Sequence, residues 1–192
     1  MYAILAVSGL GLLSLVSSNL LYLLTKNFVY SRKLAHAISG IAILLSMYLF
    51  ESPLFPLLLS LGFLVLLSAT HTHEVFNGVQ KRGRLSEIYF ALSVSVCFLS
   101  WYVVDKHIGT AVALFLAWGD GITGLVRYPL YKTQFEKGWA GSIAMLLSCL
   151  LISLLVTPYY VGAVGALVAT VFEKQKYVDD NLAAPLSALA VM

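Results

Sequence analysis

An aspartate flanked by glycines is the feature of this chain that most favours chemistry. It stands in the run Trp118-Gly119-Asp120-Gly121-Ile122-Thr123-Gly124-Leu125-Val126-Arg127. On a helix, Asp120, Gly124 and Arg127 share one face, and the glycines let a phosphate or a metal approach the backbone closely. A carboxylate in this setting suits Mg²⁺, which takes one or two protein oxygens together with phosphate oxygens. The alternative is a helix end with packed glycines and an Asp–Arg pair.

A second candidate is the segment Lys137-Gly138-Trp139-Ala140-Gly141-Ser142, which enters an apolar run. Lys137 can neutralise phosphate charge, and Gly141 and Ser142 lie at a predicted helix start, whose backbone N–H groups attract anions. The spacing is not that of a P-loop. The alternative is an interfacial Lys and Trp that anchor a helix.

Acidic residues gather near the end of the chain. Glu173 is followed by Asp179, Asp180, Asn181 and Pro185. The acids are candidate ligands for a cation, and Asn181 is a candidate contact for a nucleotide. Alternatively Asp180 or Asn181 is the N-cap of a helix, a position that both residue types favour.

The fourth set lies near the start of the chain. Arg32 and His36 are spaced i, i+4 and share a helix face, with Lys33 beside them. Two cations at a membrane entry commonly anchor lipid headgroups. His36 lies one turn inside an apolar run, where an imidazole can contact a phosphate or a substrate hydroxyl.

The loop from 70 to 87 carries His71 and His73, followed by three basic residues at 81, 82 and 84. The two histidines diverge on a helix, and no further His or Cys is near in sequence, so zinc ligation is not expected. The loop is expected to cover the site or to bind anionic headgroups.

The elements that must position these residues are membrane helices. The 192 residues are 60% hydrophobic and only 11% charged, with mean hydropathy +0.89, where a soluble domain carries about 25% charge. A span needs about 20 apolar residues, and helices rather than a barrel fit runs that do not alternate. The predicted spans cover 3–24, 34–50, 53–69, 88–104, 108–126, 139–156 and 159–172, with a short half-helix over 181–192.

The fold expected from these runs is an all-α polytopic bundle that forms a single integral membrane domain over 1–192. All the Lys and Arg residues except Lys106 fall in alternate loops, which predicts that these loops are cytoplasmic and that the N-terminus is outside. The candidate residues then share the cytoplasmic side, built from 26–36, 70–87, 118–142 and 173–185. Buried thiols rather than a disulfide are expected for Cys97 and Cys149, which lie mid-span.

Taken together, the four motifs resemble those of a known family. Their order along the chain is that of the polytopic lipid kinases, which include dolichol kinase, the phytol and farnesol kinases, and the CTP-dependent diacylglycerol kinase. The resemblance covers the chain from about residue 30 onward, and the Trp139-Ala140-Gly141-Ser142 stretch is most similar to the phytol and farnesol branch. One departure is Arg127, which stands two residues later than the arginine of the family pattern.

The resemblance implies transfer of a phosphoryl group from a nucleoside triphosphate, usually CTP, to a membrane alcohol of the polyprenol, dolichol, phytol or geranylgeraniol type. Asp120, His36 and Lys137 are then the expected catalytic residues. The expected metal ligands for Mg²⁺ are Asp120, Asp179, Asp180 and Glu173. The nucleotide would be held by Arg32, Lys33, Gly121, Gly124, Arg127, Gly141, Ser142 and Asn181.

Several alternatives remain open at this point. A cytidylyltransferase would use the same nucleotide but release pyrophosphate, and a diacylglycerol kinase would differ only in the lipid. A transporter would need charges along a path across the bilayer, whereas these charges gather on one predicted side. A non-catalytic scaffold would show no nucleotide dependence. No nucleic-acid partner is expected, and the membrane is that of the cell or an ER-type compartment.

Overall fold

The computed structural model describes residues 2–131, 138–175 and 177–192, and this part of the chain is helical without a β-strand, which confirms the all-α prediction. The helices are α1 Tyr2–Thr25, α2 Phe28–Leu49, α3 Leu54–His71, α4 Ser86–Leu99, α5 Lys106–Leu114, α6 Asp120–Tyr131, α7 Trp139–Val156, α8 Tyr159–Lys174 and α9 Asp180–Val191. A 3₁₀ turn follows α4, and a π-helical turn, Phe115–Gly119, joins α5 to α6.

Five helical stretches in the described residues are long and apolar enough to cross a membrane: α1, α2, α3, α7 and the continuous stretch Lys106–Tyr131. By contrast, α4, α8 and α9 have 14, 16 and 12 residues, fewer than the about 20 of an ordinary span. The seven-span count and the outside N-terminus therefore stay predictions.

Two helices begin earlier than predicted, because a hydropathy pattern does not reveal capping residues. Helix α2 begins six residues before Leu34, since the Asn27 side chain accepts a hydrogen bond from Tyr30 N at 3.2 Å and caps it. Helix α9 is capped by Asp179, whose carboxylate accepts from Asn181 N at 3.0 Å. A capped helix was expected here, but the cap lies one residue before Asp180 and two before Asn181, the predicted candidates.

The core follows the central stretch of the chain. Residues 111–117 are at most 2% exposed, and α5 contacts α2, α4, α7, α8 and α9. Cys97 and Cys149 are buried free thiols in the same core. This buried segment leads directly into Asp120, the first residue of α6, so the most buried part of the described chain positions the principal candidate residue.

Candidate active site

Asp120 lies where α6 meets α2. The Lys33 ammonium donates to Asp120 Oδ2 at 2.6 Å and to the backbone oxygen of the same residue at 2.9 Å. His36 Nδ1 lies 3.3 Å from the same carboxylate oxygen. All three side chains are buried. Two motifs 84 residues apart in sequence are thus brought to one point, as the sequence predicts.

The π-helical turn before Asp120 was not foreseen from the sequence. Such turns are rare and often occur at functional sites. Within it, Trp118 donates from Nε1 to the Ala37 carbonyl at 3.1 Å, and its indole occupies the space that a Cβ at Gly40 would need. This contact fixes the rotation of the central helix against α2, so that Asp120 faces Lys33 and His36.

The glycines of the motifs differ in which atoms lie next to them. A Cβ at Gly124 would overlap the Lys33 side chain, and a Cβ at Gly141 would overlap Arg127. These two glycines therefore make room for cationic side chains of the protein itself. A Cβ at Gly121 would meet only His36 Cβ, at 3.8 Å. Gly121 is thus the motif glycine beside which a ligand has room.

Arg127 is held by an acid of the third motif. Its two terminal nitrogens donate to the two carboxylate oxygens of Glu173 at 2.5 and 2.8 Å, and both side chains are buried. This bidentate pair fastens α6 to α8. Nearby on α7, the Ser142 hydroxyl is buried and has no hydrogen-bond partner in the described part of the chain.

The remaining acidic motif is bound into the helix packing. Asp179 accepts from Ser86 Oγ at 2.6 Å. Asn181 is fully buried, and its side chain donates to the Ser86 carbonyl at 2.7 Å. These bonds join α9 to α4. Asp180 begins α9 and interacts electrostatically with Lys33.

The described residues permit a magnesium ion at Asp120, but they do not form a complete set of metal ligands. Among the residues described, no three His, Cys, Asp or Glu side chains lie close enough together to hold a metal. Asp120 Oδ1, however, accepts no hydrogen bond from any residue described. One such oxygen suits a Mg²⁺ that takes its other ligands from phosphate oxygens and water.

The cations of the site divide into two groups. Lys33 and Arg127 are committed to Asp120 and Glu173. Arg32 is only partly buried and, within the described ranges, forms no hydrogen bond or ion pair, which leaves its guanidinium available for an anion. Lys137, the other predicted phosphate contact, lies outside the described residues.

A groove opens beside His36 between α1, α2, α3 and α4. It contains about 880 Å³ of empty space, part of it open to the surroundings. Its polar end is formed by Arg32, His36 and Glu87, and the rest of its wall is largely apolar. Arg32 and Ser46, which line its two ends on α2, lie about 21 Å apart at 1.5 Å per residue.

The loop between α3 and α4 closes the groove near its polar end. Val79 lines the groove, and Gln80 anchors the loop by donating to the Leu67 carbonyl at 3.0 Å. His71 Nδ1 lies 2.6 Å from Glu87 Oε1. Burial raises the pKa of Glu87 above its ordinary value, while His71 opposes that rise. The loop therefore covers this end of the groove, one of the two roles that the sequence indicates.

The chain is similar in sequence to several phytol kinases. The chain is 28% identical over 197 residues to "Probable phytol kinase, chloroplastic" of Zea mays, with 84% of the chain and 65% of the relative covered. It is 28% identical to "Phytol kinase 1, chloroplastic" of Arabidopsis thaliana, over 83% and 64% of the two chains. It is 25% identical to "Phytol kinase" of Synechocystis sp., over 57% and 54%.

The chain spans less than two thirds of the length of each of these relatives. No family model matches it. No solved structure matches it either. The similarity to several phytol kinases extends over most of the chain, and it confirms the resemblance seen in the motifs: the chain fits the phytol- and polyprenol-kinase-like branch of the polytopic lipid kinases.

Proposed function

We propose that this protein is a membrane kinase that transfers the terminal phosphoryl group of a nucleoside triphosphate, CTP in the family it resembles, to an isoprenoid alcohol. The observation that carries the proposal is the position of His36. Its ring lines the apolar groove, while its Nδ1 lies 3.3 Å from Asp120 Oδ2. One side chain therefore connects a site suited to a lipid tail with the carboxylate of the glycine-flanked motif.

The groove fits an isoprenoid tail because its walls offer almost nothing polar. The hydroxyls of Ser14, Ser46 and Ser60 all donate to backbone carbonyls of their own helices, at 2.7 to 2.9 Å, as serines in membrane helices commonly do. Ser39 also lines the groove, and the remaining polar side chains gather at the end formed by Arg32, His36 and Glu87. An alcohol whose tail fills the groove therefore presents its hydroxyl to His36.

In the proposed reaction, the alcohol oxygen attacks the terminal phosphorus and the bridging bond to the nucleoside diphosphate breaks. His36 receives the hydroxyl proton, and the Asp120 carboxylate, 3.3 Å from Nδ1, stabilises the charge that the ring gains. Arg32, with Lys137, neutralises the phosphate oxygens. Phosphoryl transfer depends mainly on such positioning and charge stabilisation.

A magnesium ion on Asp120, with Asp180 as the second candidate, would neutralise phosphate charge when bound. Gly121 leaves space for the phosphates beside this carboxylate. Lys33 limits the approach, because its ammonium already occupies Oδ2. Glu173, Arg127, Asp179 and Asn181 position the helices around the site.

The test is an assay of purified protein with Mg²⁺, labelled CTP or ATP, and a panel of lipid alcohols. We expect a phosphorylated alcohol together with the nucleoside diphosphate, and Asp120→Asn should abolish transfer. Asp105→Asn is the matched control, because Asp105 caps α5 far from Asp120 and asparagine caps a helix equally well. Wild-type turnover in Asp120→Asn, or release of pyrophosphate by the wild type, would contradict the proposal.

A further inference from the structure

The end of the groove opposite His36 is closed by large side chains. Phe98 lines the groove there and is only 4% exposed. Its ring packs edge-on against Trp101, with 5.3 Å between the centroids. Met47 and Phe50, at the end of α2, are buried beside this region. The groove therefore ends in packed side chains opposite its polar end.

Phe50 closes a second side of the same end. It packs in a cluster with Val7 of α1 and Leu59 of α3, and both of these residues line the groove. Since α1, α2, α3 and α4 all contribute to the closure, an occupant cannot extend past it without moving a packed side chain.

The distance between the two ends of the groove sets the length of the tail that the groove can hold. The groove runs about 21 Å along α2 from Arg32 to Ser46, and about 15 Å from His36, where the hydroxyl is expected, to Ser46. Both distances are less than the about 30 Å of a bilayer's hydrocarbon core. An extended tail of the phytol or geranylgeraniol class is comparable with this distance. A dolichol tail is far longer and would have to leave the groove.

We infer that Phe98, supported by Trp101, Met47 and Phe50, limits the length of the tail, so that the protein takes short isoprenoid alcohols and discriminates against polyprenols of dolichol length. The inference rests on the proposed function in one respect, which is that the groove holds the alcohol tail. Because three of the four serines in the wall are bonded to their own helices, the groove distinguishes its occupants mainly by the length and shape of the tail.

The test measures tail length separately from chemistry. The probes are methyl ethers of isoprenoid alcohols of increasing length, which cannot accept a phosphoryl group at oxygen, and the readout is the thermal stabilisation of the purified protein. We expect the stabilisation to rise up to the geranylgeranyl length and then to fall. Equal stabilisation by every length would overturn the inference.

Variants at Phe98 then locate the limit. Phe98→Ala should shift the preferred length upward and Phe98→Trp downward, each by at least about tenfold in relative affinity for one added or removed isoprene unit. Ile152→Ala is the matched control, because Ile152 is as buried as Phe98 but lies on α7 away from the groove. If Phe98→Ala does not fold, Phe98→Leu takes its place.

The outcomes separate this inference from the proposed function. Phosphorylation of alcohols of every length with equal efficiency would leave the kinase proposal intact and overturn the length limit. Length-dependent binding of the ethers without any phosphorylation of alcohols would support the limit and contradict the kinase. A length profile that is unchanged in both Phe98→Trp and Phe98→Ala or its replacement would overturn the role of Phe98.

Discussion

The buried Lys33–Asp120 contact shows at the scale of single residues how the glycine-flanked aspartate is held in place. Lys33 is buried, and its ammonium donates twice to Asp120. This is possible because Gly124, one helical turn after Asp120, leaves space for the lysine side chain. A buried ion pair is retained only when both charges are well hydrogen-bonded. Gly124 is therefore needed for the contact that holds the Asp120 carboxylate in place.

Gly124→Ala should consequently lower the free energy of unfolding by about 1–3 kcal/mol, because the new methyl group would displace Lys33. Gly121→Ala, three residues earlier, should keep the stability of the wild type, since its nearest neighbour would be His36 Cβ at 3.8 Å. Thermal unfolding of both variants in the same detergent measures the difference. Equal losses of stability in the two variants would contradict the conclusion that Gly124 makes room for Lys33.

The spacing of residues along one helix predicts much of this site, but it does not predict contacts between helices. The i, i+4 relation correctly brings Arg32 and His36 to one side of α2, where both line the groove. Spacing cannot identify a neighbour from another helix, so it did not foresee that Lys33 would cover Gly124 or that Arg127 would cover Gly141. Those contacts depend on how helices pack, which local sequence does not encode.

The pairing of Arg127 with Glu173 governs the arrangement of whole elements. These residues lie on α6 and α8, and together they hold the two helices beside α7. From sequence, both residues were candidates for ligand binding because charges near a membrane span suggest function. In the structure each charge satisfies the other, so their expected role is to position α6.

Replacing either residue alone by methionine should destabilise the protein by about 3–5 kcal/mol, because the remaining buried charge loses its bidentate partner. The double variant Arg127→Met with Glu173→Met should lose much less than the sum, as a double-mutant cycle in detergent would measure. It should also keep phosphoryl transfer. A double variant that folds but transfers no phosphate would instead place Arg127 in contact with the nucleotide.

Element boundaries were predictable where hydropathy and capping agree. Helix α7 begins and ends at the predicted residues, Trp139 and Val156. The π-helical turn, by contrast, has no periodicity of its own, since Phe115–Gly119 lies within one continuous apolar run. It arises from the contact of Trp118 with α2, a tertiary interaction.

At the scale of the whole molecule, the core is one unit that contains both thiols. Cys97 on α4 and Cys149 on α7 are each 0% exposed and belong to the same cluster of buried residues. Buried structural cysteines are unreactive. The two cysteines are therefore natural reporters of global opening.

We expect a maleimide to label neither cysteine in the folded protein and to label both in denaturant. A cysteine introduced at the exposed position Ser52 should be labelled immediately and serves as the control. Under partly denaturing conditions the two native thiols should react at the same rate, because the core opens cooperatively. Rapid labelling of only one would show that the halves of the bundle open separately.

Different helices build the groove and the region around Asp120, and this separation has a consequence for how related proteins diverge. The groove is lined by residues between Val7 and Phe98, whereas Asp120 and the Arg127–Glu173 pair come later in the chain. Among the described residues, α2 contributes to both regions through one turn that carries Lys33 and His36. Substitutions in α1, α3 and α4 can therefore reshape the groove of a related protein while the contacts around Asp120 stay unchanged.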